Sequence, residues 1–325
     1  MNVSRKNFLH LAAGAVTLPT VWRLAWAQAY PLRPVRIVVP FAAAGTTDVA
    51  ARLIGQWLSE RLGQQFVVEN RPGAGTNIGI EAVVRAPPDG YTLLMTDPSP
   101  TIGTMLYDNL NFNFIRDIAP VSLVLRSPFV MVVNPAIPAK TLADFITYAK
   151  ANPGKVNMGS AGTGSTQHVA GELFKMMATL DLVHIPYRGG GPALTDLIAG
   201  QVQVLFLPPA ISIEHIRAGR LRALAVTTAN RFEALPDIPS VREFVADYEA
   251  STWFGVCAPR STPAHIIDKL NREINAGLAD AKIKTRLVEL GGTVLAGSPA
   301  DFSKLIAEDT EKWGKVVKFA GIKPQ

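Results

Sequence analysis

Short β-branched runs alternate with amphipathic stretches over most of this chain. Residues 35–39 (VRIVV) read as a strand that Pro40 stops, because proline cannot donate to a sheet ladder. Val49, Leu53, Ile54, Trp57, Leu58 and Leu62 then share one helical face, so the apolar period changes from two to about 3.6. Between strand and helix, residues 41–45 are small apart from Phe41 and let a ligand approach the backbone. Thr46 or Thr47 is expected to cap the helix, with Asp48 in its first turn, where the dipole favours negative charge. A strand at 65–70, a turn at 71–75, a helix at 77–85, a turn at 87–90 and a strand at 91–95 follow. This βαβαβ series predicts parallel strands with helices on the sheet faces.

Residues 119–134 form a long β-rich run broken at Ser127-Pro128, as expected of a strand leaving one domain for another. The middle section repeats the alternation, with strands at 156–159, 182–186, 202–207 and 221–227 and helices at 141–151, 165–178, 192–199 and 211–218. Residues 229–241 are polar, carry two prolines and read as a return connection. A strand at 253–258 and helices at 263–276, 279–290 and 299–320 end the chain; Ser298 and Pro299 supply an N-cap and an N1 proline to the last. This strand-poor section is expected to complete the first domain. The expected boundaries are 30–126 with 232–325, and 127–231.

The N-terminus changes the reading of charge. Arg5 and Lys6 precede an apolar stretch from 8 to 21, and Ala25-Trp26-Ala27 offers the small residues of a cleavage site, so residues 1–27 are expected to be a removable signal peptide. Ser4-Arg5-Lys6-Asn7-Phe8-Leu9 is similar to a twin-arginine signal with lysine in second place, which leaves the route open between Sec and Tat. The signal holds Arg5, Lys6 and Arg23 and no acid, so it contributes half of the formal charge of +6 on the 325 residues. The remaining chain has no Lys/Arg run of nucleic-acid type and no later stretch of 18 consecutive apolar residues. The single cysteine, Cys257, cannot form a disulfide within the chain and sits in an apolar strand, as a small buried hydrophobe would.

Candidate chemistry thins out on inspection. Gly73, Gly75 and Gly79 with Asp97 approximate a dinucleotide fingerprint, but Ile78 stands where the third glycine belongs. No glycine loop ends in Gly-Lys-Ser/Thr, so no phosphate loop is present, and Ser160 in Met158-Gly159-Ser160-Ala161-Gly162 lacks the first glycine of a nucleophile elbow. His168, His184, His215 and His265 show no metal-ligand spacing, and His168 reads as a capping or packing residue. No metal and no cofactor are expected. What remains is three loops, 41–45, 160–166 and 187–191, each leading from a strand into a helix. Backbone N–H groups gathered at such helix starts suit an anion, at the strand ends where open α/β sheets bind ligands.

With these loops in view, the chain resembles the substrate-binding receptors of tripartite tricarboxylate transporters, the Bug or TctC family. The matching segments are Tyr30-Pro31 to Pro34, Ile37-Val38-Val39-Pro40-Phe41, Gly45-Thr46-Thr47-Asp48, Glu69-Asn70-Arg71-Pro72-Gly73-Ala74-Gly75, Pro88-Asp89-Gly90-Tyr91-Thr92-Leu93-Leu94, Ser160 to His168, and Pro186-Tyr187-Arg188-Gly189 with Pro192-Ala193-Leu194 and Asp196. The resemblance implies a two-domain periplasmic-binding-protein fold of the type II, Venus-flytrap kind, α/β, each domain a mostly parallel sheet flanked by helices. It implies a small carboxylate (di- or tricarboxylate, amino acid or aromatic acid) bound in an interdomain cleft without chemistry and delivered to membrane permease subunits, by a periplasmic protein expected to be a monomer. The implied ligand-binding residues are Phe41, Ala42, Ala43, Ala44, Gly45, Thr46, Thr47, Asp48 and Thr96 in the first domain. In the second they are Ser160, Ala161, Gly162, Gly164, Ser165, Thr166, His168, Tyr187, Arg188, Gly189 and Asp196. Ala44 stands where the family usually has glycine, and an ordinary φ is expected there. The competing readings are a secreted hydrolase using Ser160 or His168 in the same cleft, and a ligand sensor without a permease.

Overall fold

The computed structural model describes residues 30–107 and 110–323; the signal peptide expected at 1–27 lies outside the described residues. β1 (Val35–Val39), β2 (Phe66–Asn70) and β3 (Thr92–Thr96) pair in parallel around β1. The α-helices that join them are α1 (Thr46–Leu62) and α2 (Asn77–Val84). Two elements that hydrophobic patterning passed over come next, α3 (Ser99–Leu106) and the single turn α4 (Phe114–Asp117). β4 (Ile118–Pro128) belongs to the same sheet, and β5 (Val130–Val133), one residue later, belongs to another. The break therefore falls at Phe129, two residues past Ser127.

The second sheet is built from α5 (Leu142–Ala151), β6 (Asn157–Ser160), α6 (Thr166–Ala178), β7 (Val183–Pro186), α7 (Gly190–Ile198), β8 (Val204–Leu207), α8 (Pro209–Arg217) and β9 (Arg222–Val226). Its strand order is β7-β6-β8-β5-β9, with β5 antiparallel to both neighbours. The chain then returns through β10 (Ser251–Pro259), α9 (Ala264–Ala279), α10 (Ala281–Glu289), the two-residue β11 (Thr293–Val294) and α11 (Pro299–Ala320). β10 inserts antiparallel between β3 and β4, giving the order β11-β4-β10-β3-β1-β2. Both sheets are thus mixed: β10 and β11 run against the other strands of the first, and β5 against those of the second.

Local sequence accounts for most helix ends. Ser298 and Asp301 form a reciprocal capping box with Pro299 at the first position of α11, and Thr141 with Asp144 does the same for α5. Trp253 and Cys257 are fully buried in β10, and burial pushes the Cys257 thiol far above its ordinary range. The core of the five-stranded sheet is not self-contained. Val169, Leu173 and Phe174 of α6 pack in one cluster with Ile102 and Leu106 of α3 and with Trp313, Val316 and Val317 of α11.

Candidate functional site

The C-terminal ends of β1, β2 and β3 lie along one edge of the six-stranded sheet, and those of β6 and β7 along one edge of the five-stranded sheet. The two edges communicate through α3, which starts just after β3. Gly164, in the loop after β6, sits so close to α3 that a Cβ built there would lie 2.5 Å from Leu106 Cδ1.

The loop after β1 differs from expectation in two ways. The α1 cap is Gly45, in extended conformation, and neither Thr46 nor Thr47 caps with its side chain. Ala44 takes φ 67, the left-handed region that an L side chain enters at a cost of about 1–2 kcal/mol. Its N–H donates to Asp48 Oδ2 at 2.9 Å, which holds the turn in place. Asp48 is buried and accepts further bonds from Arg52 and Asn70. Burial works against its charge, but these donors prevail and keep the carboxyl below its ordinary range. The first-turn N–H groups of Thr46, Thr47 and Asp48 make no hydrogen bond among the described residues. An uncapped helix start with its acid already neutralised is open to an outside anion.

The loop after β6 is more self-satisfied than its glycines suggested. The Ala161 N–H donates to Gln167 Oε1, that of Gly162 to Ser160 Oγ, that of Gly164 to His168 Nδ1 and that of Ser165 to the Gly162 carbonyl. Thr163, Thr166 and Gln167 keep N–H groups without a partner among the described residues. Gly164 packs against α3, where a side chain would press on Leu106. Ser165 caps α6, its Oγ accepting the His168 N–H.

Beneath this loop lies a cluster that sequence spacing hid. His168 of α6 and His184 of β7 stack at 3.6 Å between ring centroids. The His184 Nε2 hydrogen-bonds Ser160 Oγ at 2.7 Å. Because His168 Nδ1 accepts from Gly164, the proton of the neutral ring sits on Nε2, facing Glu172 Oε1 at 3.6 Å. Burial opposes charge on Glu172, yet the bonds from His168 and Lys175 outweigh it and hold the carboxyl below its usual value. Burial, and then the neighbouring His168, lower the His184 pKa to about 3. The fold thus stacks two histidines whose spacing in sequence carries no signal of the pairing. Among the described residues no group of three or more His, Cys, Asp or Glu side chains could hold a metal ion.

The remaining expected site residues divide by exposure. Phe41 and Ala42 to Gly45 reach the surface, as does Arg188. Thr96 is fully buried with its hydroxyl on the Asp97 carbonyl, and Ser160 is fully buried under its own loop. Asp196 accepts the Tyr187 hydroxyl at 2.7 Å; burial, and then this bond, raise the phenol to about 12. Gly189 caps α7 with φ 116. A surface cavity of about 450 Å³ opens beside the end of α3, but its Arg116 is paired with Asp117 and its Asn113 caps α4.

Residues 50–322 match the model of the tripartite tricarboxylate transporter family receptor. The chain belongs to this family. Solved relatives agree over nearly the whole fold. The R. palustris protein Rpa4515, described with adipate, is 38% identical with a TM-score of 0.84, over 91% of this chain and 100% of that one. The periplasmic binding protein BugD is 34% identical with a TM-score of 0.81, over 91% and 100%. MatC from Rhodopseudomonas palustris, with bound malate, is 31% identical with a TM-score of 0.80, over 89% and 100%. As a TctC-family receptor, the chain has the α/β fold of the periplasmic binding proteins, and the family's members are periplasmic solute receptors. No helix among the described residues is long and apolar enough to cross a membrane.

Proposed function

We propose that this protein is an extracytoplasmic receptor that binds a small carboxylated metabolite between its two sheets. It then delivers the ligand, unchanged, to the permease subunits of a tripartite tricarboxylate-type transporter. The observation that carries the reading is the start of α1, where three N–H groups are unspent, no side chain caps the helix and Asp48 is already engaged by donors. Thr163, Thr166 and Gln167 supply a second set of N–H donors from the other sheet. Charge-assisted hydrogen bonds from such groups contribute about 1.5–3 kcal/mol each, enough to hold a carboxylate without a cationic side chain. Relatives described with adipate and with malate support a carboxylate ligand.

In this reading residues 30–126 with 232–325 form one lobe and 127–231 the other, and residues 1–27 direct export to the periplasm. The buried Ser160–His184 contact resembles a nucleophile and its base, but the hydroxyl already meets both the N–H and the carbonyl of Gly162 and has no solvent exposure. The test is calorimetry on ligand-stripped mature protein with adipate and with malate, followed by recovery of the ligand. Saturable binding with unchanged ligand is the expected result. Turnover of the ligand, or no binding to any di- or tricarboxylate, amino acid or aromatic acid, overturns the reading.

A further inference from the structure

We infer that Asn70 is the positioning residue of the donor set at the start of α1. Its amide ties the beginning of the loop after β1 to the first turn of the helix, and so sets where the free N–H groups point. This rests on the carboxylate reading above, in which Asn70 acts through the loop and does not touch the ligand.

Residues 41–45 belong to no helix or strand. Among the described residues two hydrogen bonds tie the backbone of 41–44 to neighbouring structure, and both are made to side chains. At one end the Phe41 carbonyl accepts from Asn70 Nδ2 at 3.1 Å. At the other the Ala44 N–H donates to Asp48 Oδ2 at 2.9 Å. Asn70 joins the two ends, because the same Nδ2 also donates to Asp48 Oδ1 at 3.0 Å. Its Oδ1 accepts from Arg52 Nη2 at 3.1 Å, and Arg52 in turn grips Asp48 through Nε and Nη2. Both amide protons and the amide oxygen are therefore used. The orientation of the amide follows from chemistry, since a carbonyl and a carboxylate only accept here and a guanidinium only donates.

The backbone of Asn70 is itself fixed. It ends β2 opposite Val39, the last residue of β1, and the ladder runs one residue further, with the Arg71 N–H on the Val39 carbonyl at 2.8 Å. The chain on both sides is locked against α2, where a Cβ built at Gly79 would lie 2.8 Å from Pro40 Cβ and 2.9 Å from the Arg71 carbonyl oxygen. Phe41 follows one of these locked residues and Asn70 precedes the other. A loop built to one geometry in advance spares the ligand the cost of ordering it. The amide is also the group the place requires. An ionised aspartate at position 70 would have no proton for Phe41 or Asp48, and a lysine would have no acceptor for Arg52.

Calorimetry with adipate and with malate on the ligand-stripped mature protein, together with amide hydrogen exchange, tests this. Asn70→Ala removes the amide. Asn70→Asp keeps its size and its acceptor for Arg52 but at pH 8 has nothing to donate. Each variant should weaken both acids by roughly tenfold or more, because the anion anchor is common to them. In the ligand-free variants the bonded N–H groups of Ala44 and Val49 should exchange faster than in the wild type, those of β3 should not change, and saturating adipate should restore protection. If either variant binds both acids within twofold of the wild type, the inference is overturned while the carboxylate reading stands. Lost binding with faster exchange in β3 as well makes Asn70 a general support of the lobe, and also overturns it. Failure of both acids to bind the wild type removes the reading and the inference together.

Discussion

His168 and His184 stack face to face, with ring planes 12° from parallel and centroids 3.6 Å apart. Burial, and then the neighbouring His168, disfavour an imidazolium at His184, which stays neutral in the fold with its pKa lowered to about 3 from an ordinary 6.5. Below pH 6.5 the unfolded chain takes up a proton at His184 that the native state refuses. Stability therefore falls as pH drops from 6.5 toward 3, by on the order of 1–2 kcal/mol once partial exposure is allowed for. Denaturant unfolding of the wild type and His184→Asn at pH 7.5 and pH 5 checks the sign. The variant should lose less on acidification, and an equal loss in both proteins would refute the account.

Ala44→Gly should stabilise the protein by about 0.5–1 kcal/mol, because the loop already holds a conformation natural to glycine. The gain is partly offset by the greater freedom of glycine in the unfolded chain. The midpoint of urea unfolding should rise without a change in slope; a lower midpoint would mean that the methyl packs favourably.

Gly164→Ala should cost roughly 2–4 kcal/mol, combining a left-handed φ of 77 with a Cβ pressed on Leu106. Leu106→Ala in the same chain should recover the steric part. If the single variant melts like wild type, the close approach of this loop to α3 is wrong.

Arg188→Ala should weaken ligand binding by tenfold or less, about 1.4 kcal/mol. Arg188 is exposed, and the donor sets that support carboxylate binding are backbone groups. Loss of all binding in a variant that still folds would transfer the anchoring role to this guanidinium.

Strong periodicity and turn chemistry made much of the fold legible. The apolar face of α1, the strands at 35–39 and 65–70 and the capped start of α11 could all be read from local residues, whereas the break between sheets falls at Phe129, past the Ser127-Pro128 expected from sequence. α3 could not, because its Pro100, Thr101 and Gly103 give no helical stripe and it is buried on more than one side. β11 is two residues long and exists only through its pairing with β4. Within the site, the positions of the loops at strand ends followed from alternation. Which N–H groups remain unspent depended on Gln167 Oε1 and His168 Nδ1, acceptors whose reach only the folded chain reveals. The rule that alanine keeps a negative φ failed at Ala44, whose N–H donates to the Asp48 carboxylate and so anchors the turn.

α11 closes the core of a sheet to which it contributes no strand. Trp313, Val316 and Val317 share one cluster with Val169 and Leu173, so loosening α11 would uncover apolar surface on α6. The stability of the five-stranded sheet is thereby tied to a helix that follows the last strand of the six-stranded sheet, and the two sheets should melt together in a single transition.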